Sequence, residues 1–262
     1  MEIRTLSPGI DMDIRYANAN NFTGARVPGY EAPSCYLLAP VAKALAQVEQ
    51  DLRAQGFGLR LYDCYRPVRS VQAFMAWVND PRELSRKAQQ YPDLDKPRLL
   101  ADGYIAERSG HSRGATVDLG LLDCRTGACT PLDMGTDFDF FGPRAHTRTS
   151  GLSTVQQANR QQLVQAMARH GFVNYPQEWW HYTLQPEPDP GTAQPLTVSR
   201  AVRCRAEPML GALCSSAASC SILAIFDFDG DSSTHGVDLL GLPDWVRGRS
   251  LTLAASSSLP TR

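Results

Sequence analysis

A helical stripe that runs into a glycine, a phenylalanine and a strand occurs twice, and this pattern constrains the chain more than any other feature. Val41, Leu45, Val48 and Leu52 recur at helical spacing over residues 40–55, and Gly56 supplies a stop. Gly58 to Tyr65 then alternate with period two and run through Arg66 into Pro67, which predicts a strand, a turn and a second helix over 68–79. In the later copy, Leu163, Val164 and Met167 share one face of a helix over 153–170. His170 and Gly171 close it, and Phe172-Val173 open an extended piece leading to Trp179-Trp180-His181-Tyr182. A strand is also predicted over 115–122, after the polar loop Ser109 to Gly114. One sequence leaves open whether the repeat is more than a common αβ turn. Helices that return into short strands imply an α+β fold, with helices packed on a small, mostly antiparallel sheet.

The periodicity ends near residue 186. Pro186-Glu187-Pro188-Asp189-Pro190-Gly191 introduces a serine-rich stretch without lysine. The chain is therefore expected to divide into a domain over 1–186 and a C-terminal extension over 187–262 that lacks its own core and is largely disordered. With 26 basic and 27 acidic residues the net charge is −1, so no global positive field exists to hold a nucleic acid or an anionic membrane. No apolar run approaches the roughly 20 residues of a spanning helix. The first residues show no basic patch followed by an apolar stretch, which makes the cytoplasm the expected location. Seven cysteines form no CxxC pair and most are expected to be reduced; Cys124 and Cys129 are the pair that could close a small loop under oxidising conditions. Self-association into a homo-oligomer is left open.

Five histidines are few enough that their company is informative. His111 lies in Ser109-Gly110-His111-Ser112-Arg113-Gly114-Ala115-Thr116-Val117-Asp118, and His181 follows Glu178-Trp179-Trp180. A catalytic zinc site needs three nitrogen or oxygen ligands and one open position. His111, Asp118 and His181 supply that set, and Glu178 is a carboxylate close by that could serve as general base. Taken singly, each piece also fits a plainer role: a loop histidine, an aromatic strand with a solvated acid, a surface arginine at Arg66.

Conjunction with a third motif, Tyr62-Asp63-Cys64-Tyr65-Arg66-Pro67, changes that balance. The three together resemble the zinc D-Ala-D-Ala peptidase superfamily, and more narrowly the VanX-type D-alanyl-D-alanine dipeptidases. Arg15-Tyr16 to Thr23-Gly24 and Met134-Gly135 to Phe138-Asp139 fit the narrower group. The resemblance implies one zinc ion per chain on His111, Asp118 and His181, with Glu178 moving the proton and Arg66 bracing the oxyanion. It further implies that Tyr16 and Asp139 hold the free ammonium of a dipeptide and that Ser109 contacts it. The function so implied is hydrolysis of D-Ala-D-Ala, for removal of a cell-wall precursor or recycling of D-alanine. The alternative is a zinc D,D-carboxypeptidase or endopeptidase acting on peptidoglycan peptides.

A separate run in the extension, Leu223 to Gly230 with Asp227 and Asp229, resembles the nucleophile motif of haloacid-dehalogenase-type phosphatases. Asp231 stands where those enzymes have a threonine, and only 32 residues follow Gly230, so this resemblance implies a fragment without activity.

Overall fold

The structure, a computed structural model, describes residues 1–191 together with Ala193 and Val198. Its elements in chain order are β1 (Asp11–Met12), α1 (Ala39–Arg53), β2 (Phe57–Asp63), α2 (Val68–Asn79), α3 (Lys87–Gln90), α4 (Lys96–Ala101), β3 (Thr116–Asp123), β4 (Thr130–Pro131), α5 (Thr154–Ala168), β5 (Phe172–Asn174) and β6 (His181–Leu184). The sheet runs β1-β2-β3-β6-β5, with β4 added alongside β3. Its pairings are antiparallel except β1 with β2. The α+β architecture read from the sequence is the architecture found.

The apolar stripe of α1 is buried as its spacing demands, with Val41, Ala42 and Leu45 fully inaccessible. Truncating such a residue to alanine, Leu45 for example, costs roughly 2–5 kcal/mol. Gly56 follows the helix with φ +80°, a left-handed turn that a side chain would strain, and the chain enters β2 at once. Glu49 ties helix to strand: its buried carboxylate accepts from Arg53 Nε at 2.6 Å and from the Leu59 amide at 2.7 Å. At the start of α5, Ser153 and Gln156 form a capping box, so each end of that pair satisfies an amide that would otherwise be unpaired. Helices α1 and α5 pack on one another and on β2, β3 and β5, which places the core between them and the sheet.

A bulge in β2 sets the register of the site. Leu61 faces Leu119, but Asp63 faces Asp118 rather than Val117, because the pairing slips between Leu61 and Asp63. Two residues of β2 thus span one step of β3, and the strand end is re-aimed. Asp118 in turn faces His181 on β6. Asp63, Asp118 and His181 therefore form one row across three neighbouring strands.

Two disulfides correct the expectation that most cysteines are reduced. Cys124–Cys129 closes the small loop between β3 and β4, whereas Cys35–Cys64 joins the segment before α1 to the end of β2 across 29 residues. Separation of that length gives no local sign of pairing; only the fold brings the two sulfurs together.

The described residues all fall within one compact unit. Beyond residue 186, Glu187 forms an ion pair with Arg113. Val198 is fully buried, and its carbonyl accepts from the amides of Glu31 and Ala32 at 2.9 and 3.2 Å. The motif around Asp227 and Asp229 lies outside the described residues.

Candidate active site

Local turns carry the principal side chains. After β2, Tyr65-Arg66-Pro67 leads into α2, and the Arg66 amide donates to the His111 carbonyl at 3.3 Å. Ser109 caps the tight turn Gly110–Arg113 by accepting from the His111 amide at 3.2 Å. Gly114 ends that turn with φ +77° and leads into β3, where Asp118 lies. Between β5 and β6 the turn Tyr175–Trp180 presents Glu178, three residues before His181, and the Trp179 indole anchors it by donating to Thr136 Oγ1 at 2.8 Å.

The three ligand candidates converge. His111 Nε2 lies 3.2 Å from Asp118 Oδ2 and 3.3 Å from His181 Nδ1, and His181 Nδ1 is 3.0 Å from Asp118 Oδ1. Donors about 2.0–2.1 Å from a tetrahedral ion stand about 3.3 Å apart, so the spacing suits one divalent cation. The chemistry of the donor set agrees. His111 Nδ1 donates to the Cys64 carbonyl at 2.7 Å, which turns the unprotonated Nε2 inward. Asp118 Oδ1 is buried and accepts no well-aligned hydrogen bond. Burial opposes ionisation of Asp118, yet the two imidazoles beside it hold the carboxyl below the ordinary range. The group is a His-Asp-His cluster whose arrangement could hold a metal ion.

Around it lies a cavity of about 320 Å³ lined by Tyr16, Arg66, Ser109, Asp139 and Glu178 as well as the three ligand candidates. That is the low end of ligand pockets, which span roughly 300–1,000 Å³, and it suits a small molecule. Glu178 Oε2 is 3.5 Å from His181 Nδ1, and burial lifts its carboxyl to about 7, with His181 and Arg66 pulling the other way. A carboxyl poised there exchanges protons readily near neutral pH. Arg66 projects over the rings of Tyr16 and Phe74, each 5.1 Å from its guanidinium carbon, and its Nη2 is 3.5 Å from Asp118 Oδ2.

Asp139 reaches the cavity from a loop that Arg160 fixes, by donating to the carbonyls of Met134, Arg144 and His146 at 2.7, 3.0 and 2.6 Å. Its φ is +62°, a conformation that aspartate and asparagine tolerate better than most residues. Tyr16 Oη donates to Asp139 Oδ1 at 3.0 Å, and burial, then the Asp139 charge, keeps that phenol protonated. Asp139 Oδ2 is buried without a partner. Burial, reinforced by Asp118, raises the Asp139 carboxyl well above its ordinary value.

Asp63 is a residue of the site that sequence reasoning left without a role. It is fully buried, accepts from Arg66 Nε at 2.9 Å and from Tyr30 Oη at 2.6 Å, and lies 3.5 Å from His111 Nδ1. Its position beside Arg66 was a signal: an acid that ends the otherwise apolar parity Leu59, Leu61 of a strand.

A family model described as D-ala-D-ala dipeptidase matches residues 1–199. The chain belongs to the D-Ala-D-Ala dipeptidase family. Among relatives of this family, a D-alanyl-D-alanine dipeptidase of Enterococcus faecium is 39% identical over 184 residues, which is 70% of this chain and 90% of the relative. One from Streptomyces coelicolor is 41% identical over 187 residues, 71% of this chain and 92% of its own. One from Escherichia coli is 32% identical, covering 70% of this chain and 83% of its own length. The dipeptidase match thus takes in each of the candidate residues, from Tyr16 to His181. Among the described residues no helix is long and apolar enough to cross a membrane.

Proposed function

We propose that this chain hydrolyses D-Ala-D-Ala to two D-alanines with one zinc ion held by His111, Asp118 and His181. The observation that carries the reading is the convergence of these three side chains on a small cavity in a member of the dipeptidase family, with the two imidazole nitrogens 3.3 Å apart and each 3.0–3.2 Å from one of the two Asp118 oxygens. Zinc, when bound there, supplies Lewis acidity that activates water and polarises the peptide carbonyl. Glu178 takes the proton of the attacking water and later passes one to the leaving amine. Arg66, permanently charged and already oriented by Asp63, donates to the oxyanion of the tetrahedral intermediate.

Asp139 and Tyr16 hold the free ammonium of the substrate, and Ser109 contacts its backbone. The unpartnered Asp139 oxygen supports this role, because a buried carboxylate gains most from a cation that reaches it. An N-blocked or longer peptide would leave it unpaired, which favours a dipeptidase over a carboxypeptidase or endopeptidase on wall peptides. The reaction serves removal of the vancomycin-target precursor or recycling of cell-wall D-alanine. The two disulfides favour an oxidising compartment over the cytoplasm expected from the sequence, and a free-thiol count on protein taken from its host distinguishes the two.

The decisive experiment measures D-alanine released from D-Ala-D-Ala by the purified protein with and without a chelator, beside Glu178→Gln, with zinc counted by elemental analysis. Hydrolysis is expected to need zinc and Glu178; hydrolysis that survives both treatments would overturn the reading.

A further inference from the structure

The proposed mechanism makes no use of the Cys35–Cys64 bridge, yet the bridge sits against its centre. Cys64 stands between Asp63 and the Tyr65-Arg66 pair. Its amide donates to Asp63 Oδ1 at 2.9 Å, and its carbonyl accepts from His111 Nδ1 at 2.7 Å. On the other side, Cys35 is fully buried and its carbonyl accepts from the Ile3 amide at 3.0 Å. The Tyr65 amide donates to the Tyr36 carbonyl at 2.9 Å, so the two cysteine segments lie side by side at the bridge.

The Cys64 carbonyl decides which nitrogen of His111 carries the proton. With Nδ1–H committed there, Nε2 is left as a lone-pair donor toward Asp118 and His181. The alternative acceptor, Asp63 Oδ2, is 3.5 Å away and already takes the Arg66 Nε–H. If the Cys64 peptide drifted, His111 would lose its only close acceptor on that side, and its ring and tautomer would no longer be fixed. We propose that the Cys35–Cys64 disulfide is a positioning element that pins the Cys64 carbonyl, and through it the metal-facing nitrogen of His111. This rests on the metal site proposed above. Cys64 acts through His111 and touches neither substrate nor ion.

The test compares zinc affinity, read by competition with a chromophoric chelator, in the wild type, in Cys35→Ser/Cys64→Ser and in Cys124→Ser/Cys129→Ser, far below each thermal midpoint. Loss of groups that orient a metal-bound histidine typically weakens metal binding roughly 10- to 100-fold, and that loss is expected for the first pair. The second pair, in the β3–β4 loop, is expected to bind zinc as the wild type does. Equal affinity in both pairs, with only a lower melting temperature for the first, overturns the inference.

A second measurement needs neither the variant to fold nor zinc to bind. Imidazole nitrogen NMR of zinc-free wild type is recorded before and after treatment with a water-soluble phosphine. The phosphine reduces both bridges, Cys35–Cys64 and Cys124–Cys129, each to two thiols, and takes one oxygen from water per bridge to become its oxide; a count of four new thiols confirms that both have opened, and Cys124→Ser/Cys129→Ser treated alike isolates the first. His111 is expected to show an Nδ1–H held by the Cys64 carbonyl that loses its protection from solvent exchange on reduction; an unchanged Nδ1–H overturns the inference. A wild type that binds no zinc but shows this change overturns the metal reading and leaves the positioning role standing.

Discussion

Asp118 and His181 face one another on adjacent antiparallel strands, with Asp118 Oδ1 3.0 Å from His181 Nδ1. Two of the three donors are therefore placed by sheet register, which is rigid and cooperative, and only His111 depends on a turn. A one-step slip of β6 against β3 would reverse which face His181 occupies and dismantle the site.

Glu178→Gln is expected to retain zinc and lose roughly 10²–10⁴-fold in kcat, since the amide keeps the shape but takes no proton. In the wild type the base must be ionised, and burial holds its carboxyl at about 7. A bound cation beside His181 shifts that value downward. The acid limb of kcat/KM should thus lie at or below pH 7 and fall tenfold per unit. A profile rising toward lower pH counts against Glu178 as base.

Asp139→Asn is expected to stabilise the free protein at pH 8 while impairing selection of the substrate. A carboxyl whose value is raised by folding takes up a proton as the chain folds. Its contribution is present below the unfolded aspartate value of about 3.9 and is lost as pH rises through the higher folded value. The amide carries no charge at any pH, so the variant should melt above the wild type at pH 8, with the gap closing near pH 4. A hydrogen bond to a charged group contributes about 1.5–3 kcal/mol, so the preference for D-Ala-D-Ala over its N-acetyl form should fall roughly 10- to 100-fold. Kinetics on both substrates and melting curves at both pH values check the pair of effects.

Asp63→Asn removes the charge that Arg66 faces in a buried setting. Breaking such a pair on one side costs roughly 3–5 kcal/mol, and denaturant unfolding should register a loss of that order. Asp118→Asn, tested beside it, should abolish zinc binding, whereas Asp63→Asn should retain it with a lowered kcat.

Gly114→Ala places a side chain at φ +77°, with its Cβ 3.4 Å from Leu38 Cγ. Left-handed backbone costs about 1–2 kcal/mol for a residue with a Cβ, and urea unfolding should show that loss. A variant as stable as the wild type would mean that the turn after His111 relaxes freely.

Much of this site was legible because short turns of distinctive composition carry it. Ser109 to Gly114 and Glu178 to His181 hold their chemistry within six residues or fewer, and their helix and strand neighbours follow plain apolar periods. Asp63 was not legible as part of the row with Asp118, because alternation aligns it with Leu59 and Leu61 and only the bulge at Tyr62 brings it opposite Asp118. The Cys35–Cys64 bridge was missed because its partners meet only through the packing of α1 on β2. Helices α3 and α4, of four and six residues, are too short to leave a periodic trace.

The hidden carbonyl of Val198 bears on how far this protein can be shortened. Val198 bridges Tyr30, whose hydroxyl steadies Asp63, and Asp63 aims Arg66. A fragment trimmed at residue 186 would keep every dipeptidase motif yet lose both Glu187 and this prop, and it is expected to unfold more readily than a chain that runs through Val198.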